Sequence, residues 1–170
     1  MEYDALYKLV AIGNAMTGKS NFILRFVDDT FCPNYIPTLS NDFKSYQLTL
    51  NDKDLKLQIW DTVGQELSVP SSLYEGSNGF LLFYSIDSRE SFDSLSRWHG
   101  EASEAIQSGA KVIVIGMKSD LDHGGREVLA SEGQAFAHGI GALFIEASAL
   151  TNSNISAALL NLLLAIGKGS

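Results

Sequence analysis

The sequence predicts a three-layer α/β fold: a mostly parallel six-stranded sheet with one antiparallel strand and about five helices on both faces. Three observations predict it. The runs Phe80–Ile86 and Lys111–Met117 are short and almost continuously apolar, as strands buried on both faces are. Helical patterns alternate with strand patterns along the chain. The 170 residues, 45% of them apolar, are enough for a single domain with a core around one sheet, without a disulfide or metal staple.

Each element has its own signal. Leu6–Gly13 (LYKLVAIG) is a strand that runs straight into a glycine-bounded loop. Ser20–Val27 is a short helix, with Phe22, Ile23 and Phe26 on one face. Phe43–Leu50 alternates apolar and polar residues, and Leu55–Trp60 follows after Asn51-Asp52-Lys53-Asp54. That spacer is hairpin chemistry, and it supplies the antiparallel strand. Ala142–Glu146 repeats the buried-strand signature. Ser91–Ile106, about Arg126–His138, and Ile155–Ile166 carry helical periodicity. Ligands of such sheets bind beyond the carboxyl ends of the strands.

Charge and cysteine content narrow the setting. Twenty acidic residues against twelve basic ones give a net charge of −8. The body of the domain therefore offers no basic face for nucleic acid or for an anionic membrane surface. Small anions are still allowed, because a local site can hold them against the global field. One cysteine, Cys32, excludes an internal disulfide and fits a reducing, cytoplasmic setting. The chain displays neither a signal-peptide run nor a lipid-accepting cysteine near its C-terminus, so no membrane anchor is expected in this chain.

Gly13-Asn14-Ala15-Met16-Thr17-Gly18-Lys19-Ser20 fits G-x-x-x-x-G-K-[ST] between a strand and a helix. Its glycines let backbone N–H groups curl around a phosphate, and the helix N-terminus adds partial positive charge. Lys19 is placed to reach β- and γ-phosphates, and the Ser20 hydroxyl to ligate Mg²⁺. Asp61 stands at the tip of the third strand, where such loops take their second Mg²⁺ contact. Behind it, Gly64 offers backbone to a terminal phosphate and Gln65 an amide to orient water.

Trp60-Asp61-Thr62-Val63-Gly64-Gln65-Glu66 resembles the W-D-T-A-G-Q-E of the Rab branch of the Ras-like small GTPases. Tyr35-Ile36-Pro37-Thr38 is similar to the first switch of that family, and the resemblance spans about residues 6–166. It implies a phosphate-loop G domain that binds GTP or GDP with Mg²⁺. It also implies a metal set of Ser20, Thr38 and Asp61, and Gln65 as the catalytic residue. The nucleotide-binding residues implied are Ala15, Met16, Thr17, Gly18, Lys19, Ser20, Asn21, Phe31, Tyr35, Thr38, Gly64, Lys118, Asp120, Ser148, Ala149 and Leu150. Effector proteins would meet the switches and the aromatics Phe43, Trp60 and Tyr74.

The sequence departs from the family at several of these positions. Met117-Lys118-Ser119-Asp120 stands for N-K-x-D. Asp120 keeps the carboxylate that accepts from guanine N1–H and the 2-amino group. Met117 replaces an amide, which implies a loss of roughly 1–3 kcal/mol of binding. Leu150 replaces the lysine of E-x-S-A-K. Ala15 and Met16 enlarge the phosphate loop, and Pro70 closes a second switch two residues shorter than usual. Two readings therefore stay open: a slow GTPase switch, or a degenerate G domain that binds guanine nucleotide structurally and acts through its surfaces.

The last helical pattern, ISAALLNLLLAI, is nearly all apolar. Leu160 and Leu164 are expected on an outer face that docks a second domain or a partner. The chain then reads as the possible first module of a longer one, with membrane association through a missing tail or another module. His99, His123 and His138 are expected in surface or core roles, and Cys32 as an incidental small residue.

Overall fold

The computed structural model describes residues 2–33, 42–64, 70–121 and 124–169. Six strands form one sheet: β1 (Ala5–Gly13), β2 (Asp42–Leu50), β3 (Lys53–Asp61), β4 (Gly79–Ser85), β5 (Lys111–Met117) and β6 (Leu143–Ala147). Their order across the sheet is β2-β3-β1-β4-β5-β6, and β2 alone is antiparallel to its neighbour. The helices are α1 (Lys19–Asp28), α2 (Ser71–Tyr74), α3 (Arg89–Asp93), α4 (Leu95–Glu101), α5 (Ser103–Gln107), α6 (Ala130–Gly139) and α7 (Ile155–Lys168). A 3₁₀ turn covers Ser119–Leu121.

Strand periodicity sorts the core into two layers. Leu9 and Ala11 of β1 face one side, with Leu81, Phe83, Ile113 and Ile115, where α1 and α7 close over them. Val10 and Ile12 face the other, with Phe80, Leu82 and Val114, covered by Trp98 of α4 and Ala137 of α6. The hairpin between β2 and β3 turns on Asn51 and Asp52, whose φ values of 52° and 62° are the pair of left-handed residues a two-residue turn needs.

Two helix boundaries differ from expectation. The helix predicted over Ser91–Ile106 is a rod cut at Ser94 and Ala102 into α3, α4 and α5. Backbone bonds from Ser94 N–H to Glu90 O and from Trp98 N–H to Ser94 O run through the first cut. The Ser94 hydroxyl also donates to Glu90 O at 2.9 Å, a back-bond that bends helices. Counted as one rod, it leaves five helical bodies among the described residues. The helix predicted from about Arg126 begins only at Ala130. Glu127 and Val128 are drawn away because their N–H groups donate to Ile86 O, and Arg126 turns to Glu146 instead.

On α7, Ile155, Ala158, Leu159, Leu162, Leu163 and Ile166 are buried. Leu164 is exposed, whereas Leu160 is half-buried, so the outer apolar face is narrower than the composition implies. No helix among the described residues is long and apolar enough to cross a membrane.

The core also holds one polar orphan. Tyr84 is fully buried, and its Oη has no hydrogen-bond partner among the described residues. Gly116 and Gly133 make room for it: a Cβ at either would collide with that oxygen. A buried hydroxyl without a partner costs about 1–3 kcal/mol. Tyr84→Phe is therefore expected to raise unfolding stability by about 1 kcal/mol in denaturant titrations. A loss of stability would show that the hydroxyl has a partner.

Candidate functional site

The parallel registers bring the carboxyl ends of the central strands to one edge. Ala11 of β1 pairs with Asp61 of β3, Gly13 with Phe83 of β4, Ser85 with Met117 of β5, and Met117 with Ala147 of β6. The loops that leave these strands carry residues 15–18, Gly64, Lys118, Asp120 and residues 148–150 of those singled out in the sequence.

The loop after β1 is shaped by glycine and by one strained residue. Gly13 has φ 145° and no room for a Cβ against Phe83 O; Gly18, at φ 99°, caps α1. Met16 has φ 65°, a left-handed conformation that costs a side-chain-bearing residue roughly 1–2 kcal/mol. Its side chain is exposed. Thr17 is buried, and its hydroxyl donates to Asn14 O at 2.9 Å.

Lys19 is 5% exposed. Its ammonium donates to Gly13 O at 3.0 Å and to Asn14 O at 2.8 Å. Burial lowers its pKa to about 8, with Asp61 pulling the other way. Gly64 lies directly over the loop: its carbonyl accepts from Ala15 N–H, and a Cβ there would strike Ala15 N and Lys19 Nζ. Gly64 thus meets the loop through its carbonyl. A buried ammonium at the N-terminus of a helix, held on two loop carbonyls, supplies the charge of an anion receptor.

Beside it, Ser20 Oγ donates to Asp61 Oδ2 at 2.5 Å. The other carboxylate oxygen, Asp61 Oδ1, is buried without a hydrogen-bond partner among the described residues, and burial pushes the carboxyl pKa up. A hydroxyl, a carboxylate and an orphaned oxygen form a hard-oxygen set. That suits Mg²⁺, which keeps most of its waters and takes one or two protein ligands. A cavity of about 250 Å³ opens against this pair, lined also by Ile23, Asp42, Phe43 and Ile59.

A second cavity, of about 230 Å³, lies on the other side of the loop. Its walls are Met16, Gly18, Asn21, Phe31, Cys32, Pro33, Met117, Lys118, Asp120, Ala149 and Leu150. Asn21 does not aim into the space. It clamps the chain after α1, with Nδ2 donating to Cys32 O at 3.1 Å and Oδ1 accepting from Cys32 N at 2.9 Å. Ser148 Oγ donates to Asp120 Oδ1 at 2.7 Å and accepts from Thr151 N–H. Met117 packs on Gly18, while Lys118 Nζ donates to Met16 O at 3.0 Å. One tie between the base-side loop and the phosphate loop therefore survives the replacement of the amide.

The supporting contacts were largely invisible in the sequence. Arg25 of α1 donates through Nε to Ala149 O at 2.9 Å. Arg126 forms a two-pronged pair with Glu146, at 2.9 and 2.8 Å, and donates to Val128 O. Asn14 is bonded across the fold to Ser94 and Trp98. An arginine among the apolar residues of α1 and an indole on the inner face of a helix were the available hints.

Tyr35, Thr38, Gln65 and the shortened stretch 65–69 lie outside the described residues, as does His123. Phe43 stacks on Trp60 with ring centroids 4.8 Å apart and is exposed. Tyr74 is buried, set edge-on to Phe80, with its hydroxyl donating to Glu101 Oε2. Among the described residues no cluster of three or more His, Cys, Asp or Glu forms a metal site.

Anion receptor, hard-oxygen pair and adjoining cavity on one edge of a parallel sheet define a phosphate-loop nucleotide-binding protein. A sequence model described as "Ras: Ras family" matches residues 8–168. Among similar proteins, Ras-related protein RABA5a of Arabidopsis thaliana is 43% identical over 157 residues, covering 91% of this chain and 71% of its own. GTP-binding protein ypt2 of Schizosaccharomyces pombe is 40% identical over 162 residues, covering 94% and 80%. Ras-related protein Rab-3D of Homo sapiens is 40% identical over 155 residues, covering 90% and 70%. The chain belongs to the Ras family, and its relatives are of the Rab type.

Proposed function

We propose that this chain is a Rab-like switch that binds GTP and GDP with Mg²⁺ and hydrolyses GTP slowly. The observation that carries the reading is the shared edge: the Ser20–Asp61 pair lines one space and Asp120, held by Ser148, lines the adjoining one, with the buried Lys19 ammonium next to Ser20 in the chain. The cavity bordered by Phe31, Lys118 and Leu150 takes the base, and Asp120 accepts from guanine N1–H and the 2-amino group. Ser148 holds that carboxylate in place, and Ala149 offers backbone to the base carbonyl. Loop amides from Met16 to Ser20 and the Lys19 ammonium hold the phosphates, and the Ala15 amide joins them on leaving the Gly64 carbonyl.

Ser20 and Thr38 ligate the metal, and Asp61 acts on it through water. Mg²⁺, when bound, neutralises charge that develops on the phosphate oxygens. Gln65 orients the attacking water, and catalysis rests on positioning and charge stabilisation. Exposed Phe43, packed on the half-buried Trp60, supplies the described part of an effector surface. Tyr74 joins it only by leaving its contact with Phe80. Leu164 on α7 marks the centre of a second, smaller contact face.

Met16, Met117 and Leu150 favour a second reading, a domain that keeps its nucleotide with little hydrolysis. One experiment separates the two. Nucleotide released from the purified protein is identified, and phosphate release is followed in a single turnover with GTP and Mg²⁺. The switch reading expects bound guanine nucleotide and a rate on the order of 10⁻⁴ s⁻¹. GTP retained for many hours without phosphate release supports the second reading, and no guanine nucleotide at all removes both. A Gln65→Leu variant as fast as the wild type removes Gln65 from catalysis.

A further inference from the structure

The structure assigns Trp98 and Ser94 a role as positioning residues for the phosphate loop, exerted through Asn14; this rests on the nucleotide-binding reading above. Asn14 is the first residue after the loop's opening glycine, and its backbone carbonyl accepts both the Lys19 ammonium at 2.8 Å and the Thr17 hydroxyl at 2.9 Å. The orientation of that one peptide therefore decides where the ammonium and the following turn sit.

The Asn14 side chain is held at both ends. Its Nδ2 donates to Ser94 Oγ at 3.0 Å, and its Oδ1 accepts from Trp98 Nε1 at 2.8 Å. Neither partner is a mobile surface group. Trp98 is fully buried, so its indole N–H would be left without its hydrogen bond if Asn14 turned away. Ser94 sits at the cut between α3 and α4, its hydroxyl also donating to Glu90 O. An amide cannot rotate while both of its ends are bonded in this way. The helical rod on one face of the sheet thereby holds the loop through which the phosphates are bound.

The test is a double-mutant cycle read in nucleotide release. Dissociation of a fluorescent GDP with Mg²⁺ is followed for wild type, Trp98→Phe, Asn14→Ala and the double variant, with thermal stability measured for each. Val114→Ala, a core change on β5, serves as packing control. Trp98→Phe is expected to speed release roughly tenfold, the worth of one such bond. In the Asn14→Ala background the same change should add less than about twofold, because the bond is already gone. Ser94→Ala should accelerate release several-fold.

Trp98→Phe releasing at the wild-type rate, or adding its full effect without Asn14, overturns the assignment. So does Val114→Ala matching the acceleration at an equal loss of stability. A wild type that binds no GDP defeats the nucleotide reading itself. A wild type that binds it, with all variants alike, defeats only this positioning role.

Discussion

Replacing Asp120 by asparagine is expected to invert the base preference of the protein from guanine to xanthine. The carboxylate lines the cavity proposed for the base, with Oδ1 held by Ser148 Oγ at 2.7 Å. Guanine presents two donors to it, N1–H and the 2-amino group, and each charge-assisted bond is worth about 1.5–3 kcal/mol. The amide of the Asp120→Asn variant sets a donor against one of these donors, whereas xanthine carries a carbonyl at that place. GDP affinity should fall by about a hundred- to thousandfold, while xanthosine diphosphate should gain by a comparable factor. Competition titrations with both diphosphates read the result. Equal losses for both would mean that Asp120 supports the cavity without reading the base.

Lys19→Met is the second large effect, and it separates function from stability. The ammonium is almost wholly buried, and burial is the main cause of its lowered pKa. Loss of a charge-assisted contact to two phosphates is worth about 3–4 kcal/mol, so GDP affinity should fall by several hundredfold or more. The nucleotide-free protein behaves differently. Burial disfavours the ammonium more than Asp61 favours it, so an apolar side chain of similar volume removes a desolvation cost that offsets the loss of attraction to Asp61. Asn14 O also keeps its bond from Thr17, so only Gly13 O loses its side-chain donor. Unfolding stability of the nucleotide-free variant should therefore stay within about 1 kcal/mol of wild type. A variant that fails to fold, or that binds GDP as tightly as wild type, contradicts the role of Lys19 as a ligand group.

Much of this site was legible because its signals are local. A glycine that needs φ 145°, followed five residues later by glycine, lysine and serine, specifies a backbone turn and the start of a helix. The pairing of Ser20 with Asp61, 41 residues apart, was also within reach, since parallel strands align their carboxyl ends. The Ser148–Asp120 bond was less so: the sequence assigned both residues to the base without joining them. The rod over residues 89–107 shows the opposite case. Helical periodicity predicted one element, but the rod breaks at Ser94, where the hydroxyl shares Glu90 O with the backbone N–H, and again at Ala102, and neither break leaves a periodic trace.

Periodicity, glycine placement and turn chemistry thus decided the order of elements, the two core layers, the phosphate loop and the hairpin. Each depends on backbone preference and on which face of an element is apolar, and both are written in neighbouring residues. Tertiary structure alone decided three further matters: that Asn14 reaches Trp98 across 84 residues, that Arg126 leaves the helix to hold Glu146, and that among the leucines and isoleucines of α7 Leu164 alone is left exposed. These depend on which polar groups distant elements bring within about 3 Å. Single bonds of about 1 kcal/mol set them, without any repeating pattern along the chain.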